Sequence, residues 1–220
     1  MNVVLLGPPG SGKGTQGKIV TNQFNLISVI AGDILRAEKR SGSKLGDEIK
    51  EIIDKGNLVP DEMIDTIMDK FLINCGMRMI KTGFVFDGYP RTLGQAEYLD
   101  KICEKYETQI DLVFFFDVEK EVLIKRILER GKTSGREDDK DKNIISKRMD
   151  NYDKLTAPVK DYYKEKLVVL DGSKSIDDIN QEIRTVMTKK FSEKFLKSGL
   201  IPIDKLNKRF GDGDWNPTGY

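Results

Sequence analysis

Short apolar runs alternate along the chain with longer stretches in which polar and apolar residues are mixed. Runs rich in β-branched and aromatic residues favour strands. They predict strands at 3–6, 84–86, 112–116 and 167–170, with a weaker candidate at 26–30. The mixed stretches predict helices at about 14–24, 33–40, 61–74, 95–106, 120–130, 142–151, 156–165 and 176–190. Because the two kinds of element alternate and the strand runs are continuously apolar, the pattern predicts an α/β protein whose parallel sheet is covered by helices.

Two segments interrupt this alternation. Residues 30–59 have a mostly helical, polar pattern with little to add to a sheet, and residues 131–141 are rich in glycine and charge. Both are expected to be appendages on a main domain of residues 1–190. Residues 191–220 form a C-terminal extension of unreadable role, expected to be a solvated helix with a mobile end. The alternatives are an extra helix packed on the core through Phe191 and its apolar neighbours, or a basic contact with an anionic surface.

Composition narrows the functional classes. The 220 residues carry 37 Lys and Arg against 36 Asp and Glu, a net charge of +1, which gives no support for nucleic-acid binding. No apolar stretch approaches the ~18–20 residues of a membrane span, and no secretory signal is visible. The absence of His excludes His-based triads and His-ligated metals. Two cysteines, Cys75 and Cys103, fit structural thiols in a reducing compartment, so a cytoplasmic location is expected.

The strongest motif is glycine-rich. Gly7-Pro8-Pro9-Gly10-Ser11-Gly12-Lys13 follows the first predicted strand and opens a predicted helix, the setting of a phosphate-binding P-loop. Its N–H groups, the helix dipole and the lysine ammonium all favour phosphate anions. The hydroxyl residue that usually follows the lysine is replaced by Gly14, and Thr15 comes one place later. The motif predicts binding of a nucleoside triphosphate.

Four motifs in order resemble the adenylate kinase family of nucleoside monophosphate (NMP) kinases. They are Gly7–Thr15, Gly32–Arg36, Asp87–Thr92 and Ser134–Asp139, the last similar to the short lid of the family and followed by Lys147-Arg148. The resemblance runs from Val3 to about Met187. It implies a P-loop NTPase-type parallel sheet flanked by helices, with a helical NMP-binding insertion at 30–59 and a short lid at 131–141.

The resemblance also implies roles for individual residues. Catalytic roles fall on Lys13, Arg91, Arg126, Arg130, Arg136 and Arg148. ATP would be bound by Gly10, Ser11, Gly12, Lys13, Gly14, Thr15, Arg126, Arg130 and Lys174. AMP would be bound by Ala31, Arg36, Asn57, Leu58, Val59, Gly88, Arg91, Gln95, Arg136 and Arg148. Asp87, closing a strand beside the P-loop, would hold Mg²⁺ through water. Asp138 and Asp139 are candidates to pair with arginines and set lid closure, and solvated surface charges are the alternative. Arginine suits this chemistry because phosphoryl transfer needs permanently charged, bidentate donors.

The acceptor nucleotide is the least constrained expectation. Gln95, four residues after Arg91, and Thr92 resemble AMP-specific members, whereas Ala31 stands where UMP/CMP kinases often have alanine and Ile30 replaces a usual serine. The expected reaction is reversible, Mg²⁺-dependent transfer from ATP to AMP giving two ADP, by a monomer with no nucleic-acid partner. Pyrimidine monophosphates as acceptor, GTP as donor, and a non-catalytic nucleotide-binding module remain alternatives. The last has little support, because the base-reading and switch elements of GTPases are missing from the sequence.

Overall fold

A computed structural model of the chain describes residues 1–75 and 83–198, without the side chains of Glu137 and residues 194–198. Its centre is a five-stranded parallel sheet in the order β2-β3-β1-β4-β5. The strands are β1 (Asn2–Leu6), β2 (Ile27–Ile30), β3 (Phe84–Asp87), β4 (Ile110–Asp117) and β5 (Leu167–Asp171). All four predicted strands and the weaker candidate are confirmed, as is the predicted α/β class.

The helices that connect and cover the strands follow the predicted order. They are α1 (Lys13–Phe24), α2 (Ala31–Lys39), α3 (Lys44–Asp54), α4 (Asp61–Asn74), α5 (Leu93–Lys105), α6 (Lys120–Thr133), α7 (Lys142–Asn151), α8 (Val159–Tyr162) and α9 (Ile176–Ser198). The insertion between β2 and α4 is helical, as its polar pattern predicts. In the described part of the chain, no helix combines the length and apolar character that crossing a membrane requires.

Alternate side chains of the central strand enter two separate cores. In β1, Val4 belongs to the core that includes Leu72 of α4 and Leu99 of α5. Its neighbour Val3 belongs to the core that includes Val20 of α1 and Ile183 of α9. Because successive strand residues face opposite sides, a strand covered on both sides must be apolar throughout. This explains the unbroken apolar runs that identify the strands in the sequence.

Two helix predictions are wrong in extent. The continuous helix predicted at 156–165 is a π-helical turn (Tyr152–Thr156), the short helix α8 and a 3₁₀ turn (Lys164–Lys166). Pro158 stands at the N-cap of α8, where its missing N–H prevents an unbroken helical ladder. The helix predicted to end near residue 190 instead continues to Ser198. Beyond the predicted end, the ring of Phe191 stacks on Phe24 with centroids 5.6 Å apart.

The structure therefore bears on only the first part of the C-terminal extension. Packing of a helix through Phe191, one of the alternatives, is what the structure has. The expected mobile end, at residues 199–220, lies outside the described residues.

Candidate active site

The P-loop joins the carboxyl end of β1 to α1. Gly10 and Gly12 both have positive φ, 84° and 96°, and Gly12 caps α1 without a side-chain hydrogen bond. A Cβ on Gly10 would lie 2.9 Å from the carbonyl oxygen of Leu123, so any side chain there would meet backbone. The first N–H groups of a helix have no intrahelical partner. The loop therefore offers uncapped donors and a positive dipole to an anion.

The side chain of Lys13 is hydrogen-bonded to the backbone of this loop. Its Nζ donates to the carbonyl oxygens of Gly7 and Pro8, at 2.6 and 2.9 Å. Burial lowers the pKa of Lys13 to about 8; the Asp87 carboxylate opposes the shift, and nearby arginines, Arg91 foremost, add to it. An ammonium surrounded by cations is a site prepared for negative charge.

A single cavity of about 990 Å³ opens at the carboxyl ends of the strands and contains the P-loop. That volume is at the top of the usual range for small-molecule sites and suits more than one nucleotide. Every site residue suggested by the sequence lines it: Gly10, Ser11, Gly12, Lys13, Gly14, Thr15, Ala31, Arg36, Asn57, Leu58, Val59, Asp87, Gly88, Arg91, Gln95, Arg126, Arg130, Arg136, Arg148 and Lys174. Folding thus collects residues from most of the chain in one place.

The arginines of the cavity come from separate elements. Arg36 lies on α2, Arg126 and Arg130 on α6, and Arg148 on α7, while Arg91 and Arg136 lie on loops. Burial and the positive charge of Arg148 lower the pKa of Arg91. Burial, with Arg36 and Arg130, lowers the pKa of Arg136. These guanidiniums are close enough to repel one another, so an anion entering the cavity would relieve the repulsion.

Carboxylates of the lid turn hold two of these arginines. Asp139 is completely buried and accepts from Arg130 Nε and Arg148 Nη1, both at 2.7 Å, while Asp138 also pairs with Arg148 at 2.7 Å. The expected pairing of Asp138 and Asp139 with lid arginines is therefore present. Burial acts to raise the pKa of Asp139, but the hydrogen bonds from Arg130 and Arg148 outweigh it and hold that pKa below its usual value.

One end of the cavity lies where β5 ends. Arg126 Nη1 donates to the carbonyl oxygen of Gly172 at 2.9 Å, and Gly172 N–H donates to the backbone carbonyl oxygen of Asp117 at 2.8 Å. Lys174 is exposed and pairs with Glu182 on α9 at 2.5 Å. The backbone here is fixed and a planar cation lies against it, which is a suitable edge for an aromatic base.

The other end of the cavity is built around Gln95. Its side chain is buried; Oε1 accepts from Arg91 N–H and Nε2 donates to Asp61 Oδ1, both at 2.7 Å. Apolar side chains of Val59 and Ile64 line the wall beside it. Sequence reasoning missed Asp61, because an acidic residue in the first turn of a helix is commonplace and gives no functional signal.

A second missed residue, Asn151, connects α7 to the loop after α3. Asn151, at the end of α7, donates from Nδ2 to the carbonyl oxygen of Gly56, in the loop after α3, at 3.0 Å. Asn151 follows Arg148 by three residues and therefore shares its helix face. Only the fold reveals that this face meets the insertion.

Asp87 is the residue that fits a hard cation. It ends β3, and its Oδ2 lies 3.4 Å from where a Cβ of Gly14 would stand. The missing side chain at Gly14 leaves room between the carboxylate and the P-loop. The described residues contain no group of three or more His, Cys, Asp or Glu side chains that could hold a metal ion, and Asp87 is a carboxylate of the cavity that lies beside the P-loop. This donor set suits Mg²⁺, which keeps most of its waters and takes one carboxylate plus phosphate oxygens.

Comparison with known proteins agrees with this arrangement. The adenylate kinase family model matches residues 5–168. The chain belongs to the adenylate kinase family. The adenylate kinase of Parabacteroides distasonis is 41% identical over 186 residues, covering 84% of this chain and 96% of that protein. Those of Flavobacterium johnsoniae and Chloroherpeton thalassium are each 38% identical, covering 85% and 86% of this chain and 98% of each relative. In this family member, the sheet order, the P-loop and the cationic cavity are the structural features that form the site.

Proposed function

We propose that the protein transfers the terminal phosphoryl group of Mg²⁺-bound ATP to AMP, reversibly, giving two ADP. The observation that carries the proposal is the single cavity that joins a P-loop, a cluster of arginines and a buried amide at its far end. The related proteins from three bacteria are all named adenylate kinases. The function of the protein would then be to keep the three adenine nucleotides in balance.

The P-loop end would hold the triphosphate. Gly10, Ser11, Gly12, Gly14 and Thr15 would supply N–H groups, and the Lys13 ammonium would leave its carbonyl partners to contact the transferring phosphoryl group. Arg126 and Lys174 would lie beside the donor base, where Gly172 fixes the backbone. Arg130 would neutralise the triphosphate from the lid side.

The insertion end would hold the monophosphate. Arg36 and Arg91 would bind its phosphate, and Ala31, Gly88 and residues 57–59 would enclose its sugar and base. Gln95 would read the base edge. Arg136 and Arg148 would close over the group in transit, because both line the cavity between the two ends.

The chemistry needs no general base. An already anionic oxygen of the monophosphate forms the bond to the γ-phosphorus, and the bond from that phosphorus to the β–γ bridging oxygen breaks, leaving ADP on both sides. The arginines neutralise charge that spreads over the equatorial oxygens. Asp87 would hold Mg²⁺ through water, and the ion would supply further neutralisation of the phosphate charge.

The remaining expectations form part of the same proposal. We assign residues 1–190 to the kinase domain, with its insertion at 30–59 and lid at 131–141, and residues 191–220 to an extension. A monomer is supported by the scatter of large exposed apolar side chains in the described part of the chain, such as Ile73, Val169 and Ile176 on separate elements. A cytoplasmic location is supported by two unpaired cysteines, Cys75 and Cys103. Light scattering after gel filtration tests the monomer.

The proposal is tested by coupled-assay turnover with Mg²⁺-ATP against AMP, UMP, CMP and GMP separately. Turnover dominated by AMP is expected, and it should vanish when Mg²⁺ is chelated. Dominance of UMP or CMP would identify a pyrimidine acceptor, the alternative to which Ala31 is matched by resemblance. ATP binding without turnover on any acceptor would indicate a non-catalytic module.

Arg91→Ala gives the sharper local test. Loss of a buried guanidinium that contacts the acceptor phosphate should lower kcat/KM by about 10²-fold or more. ATP affinity, measured by calorimetry, should change little, because the P-loop is untouched. Unchanged turnover in this variant would remove the proposed acceptor site.

A further inference from the structure

The amide of Gln95 is held on both of its sides. Arg91 N–H donates to Oε1 and Nε2 donates to Asp61 Oδ1, and both distances are 2.7 Å. A backbone N–H can only donate, and an ionised carboxylate can only accept. Rotating the amide by 180° would therefore place the Gln95 NH₂ group against the Arg91 N–H, and the Gln95 carbonyl oxygen against the Asp61 carboxylate. Only one orientation satisfies both neighbours.

Asp61 is itself fixed. Its second oxygen, Oδ2, accepts from Thr92 Oγ1 at 2.6 Å, while the same hydroxyl accepts from Gln95 N–H at 3.1 Å as the N-cap of α5. The hydroxyl proton must therefore point to Asp61. Gly94 permits this approach, because a Cβ there would stand 2.9 Å from Asp61 Oδ2.

The fixed amide presents its remaining groups in one order. One hydrogen of Nε2 and one lone pair of Oε1 are left for a ligand in the cavity that Gln95 lines. A 6-aminopurine offers an acceptor at N1 and a donor at the 6-amino group, which this order pairs. A 6-oxopurine offers a donor at N1 and an acceptor at O6, which would meet donor with donor and acceptor with acceptor.

We propose that Asp61 is a specificity-determining residue: by locking the Gln95 amide, it makes the acceptor site select 6-aminopurine over 6-oxopurine monophosphates. This rests on the proposed function, in which Gln95 reads the acceptor base. Asp61 acts through Gln95 and is a positioning residue. Sites built to hydrogen-bond one pattern reject the reversed pattern strongly, because buried polar groups are left unpaired.

The test compares kcat/KM for AMP and inosine monophosphate, which differ on this edge only at N1 and the 6-substituent. In Asp61→Asn, the new amide can donate or accept, so it no longer opposes rotation of Gln95. The AMP to inosine monophosphate ratio is expected to fall about tenfold or more, the worth of one charge-assisted hydrogen bond. Asp61→Ala removes the same constraint without adding a donor and carries the test if Asp61→Asn does not fold.

Asp65→Asn is the matched control. Asp65 lies one turn further along α4 and accepts from buried Tyr89 Oη at 2.6 Å, away from Gln95. An asparagine there still accepts, so the ratio should stay within about twofold of wild type. If the role of Asp61 were merely structural, Asp61→Asn would lower kcat/KM for AMP and for inosine monophosphate together and would leave their ratio unchanged.

The outcomes separate this proposal from the proposed function. A wild-type protein that turns over AMP and inosine monophosphate equally well overturns the selection by Asp61, whatever the variants do. A folded Asp61 variant with an unchanged ratio overturns it as well, while the kinase proposal stands. Absence of AMP turnover in the wild type overturns the kinase proposal itself and this inference with it.

Discussion

At the scale of single residues, Lys13 shows how the fold positions a cationic group within the P-loop. Its ammonium is satisfied by the Gly7 and Pro8 carbonyl oxygens while Arg91 and Arg130 repel it. Burial lowers its pKa to about 8 from the ordinary value of 10.5. The folded chain therefore releases this proton at a lower pH than the unfolded chain does.

A pH dependence of stability follows. Below pH 8 the charged lysine imposes its full cost on the fold; between pH 8 and 10.5 the unfolded chain holds the extra proton, so stability rises with pH. Relative to Lys13→Met, the wild type should gain about 1–2 kcal/mol between about pH 7 and pH 10, less than full burial would give because the side chain is only partly buried.

Urea unfolding of both proteins without nucleotide measures this gain. An equal difference at both pH values would contradict the lowered pKa. Lys13→Met should also lack turnover at either pH, because it cannot contact the transferring group.

For single residues of the site, the sequence suggests some and misses others. Gln95 could be suggested as a base contact from its distance to Arg91 along the chain. Asp61 could not, because its partner Gln95 is 34 residues away and the sequence does not show that α4 begins beside α5. A contact between side chains on different elements exists only once those elements have packed.

At the scale of elements, α9 extends past the end expected from its pattern. Its last described side chains include Phe191, which stacks on Phe24 with an interplanar angle of 9°. The chain near residue 190 loses clear periodicity, so the sequence suggests a helix end there. The helix continues because an apolar partner on α1 is within reach.

We expect Phe191→Ala to lower the free energy of unfolding by about 1–3 kcal/mol, since it removes a partly buried aromatic pair. Turnover at 25 °C should be unchanged, because the pair lies outside the cavity. The control is Lys189→Ala, on an exposed position of the same helix, with an effect within about 0.5 kcal/mol. Equal stabilities of the two variants, measured by urea titration, would refute a packing role for Phe191.

At the scale of the whole molecule, the charged cavity depends on a network across several elements. Asp139 in the lid turn binds Arg130 of α6 and Arg148 of α7, and Asn151 of α7 reaches the insertion at Gly56. Repulsion among the arginines is opposed by one buried carboxylate and its neighbour Asp138. The lid is therefore held by the same arginines that would contact phosphate.

Removing that carboxylate should have a large effect. Asp139→Asn leaves two arginines without their partner, and we expect a loss of about 2 kcal/mol in stability at pH 7, less than for a fully buried pair because Arg130 is 35% exposed. Its kcat should fall as well, because Arg130 and Arg148 lose their fixed positions.

The pH dependence provides the check. The folded-state pKa of Asp139 lies below the ordinary value of 3.8, so its contribution to stability is complete above that pH and is lost as pH falls through the folded-state pKa. The difference between wild type and Asp139→Asn should be constant from about pH 7 to 5 and should narrow below about pH 4. A constant difference at all pH values would show that the charge of Asp139 is not responsible.

Resemblance to the adenylate kinase family suggested most of the residues around the cavity, whereas the sequence pattern alone predicted the order of elements and the P-loop. These follow from local information: a strand buried on both faces must be apolar throughout, and a phosphate-binding turn needs glycines followed by lysine. Only the tertiary structure decided where α9 ends, which carboxylate holds Arg130 and Arg148, and that Asp61 fixes Gln95. Each of these depends on contacts between residues far apart in the chain, whose energies arise only when packing brings the partners within hydrogen-bonding or van der Waals distance.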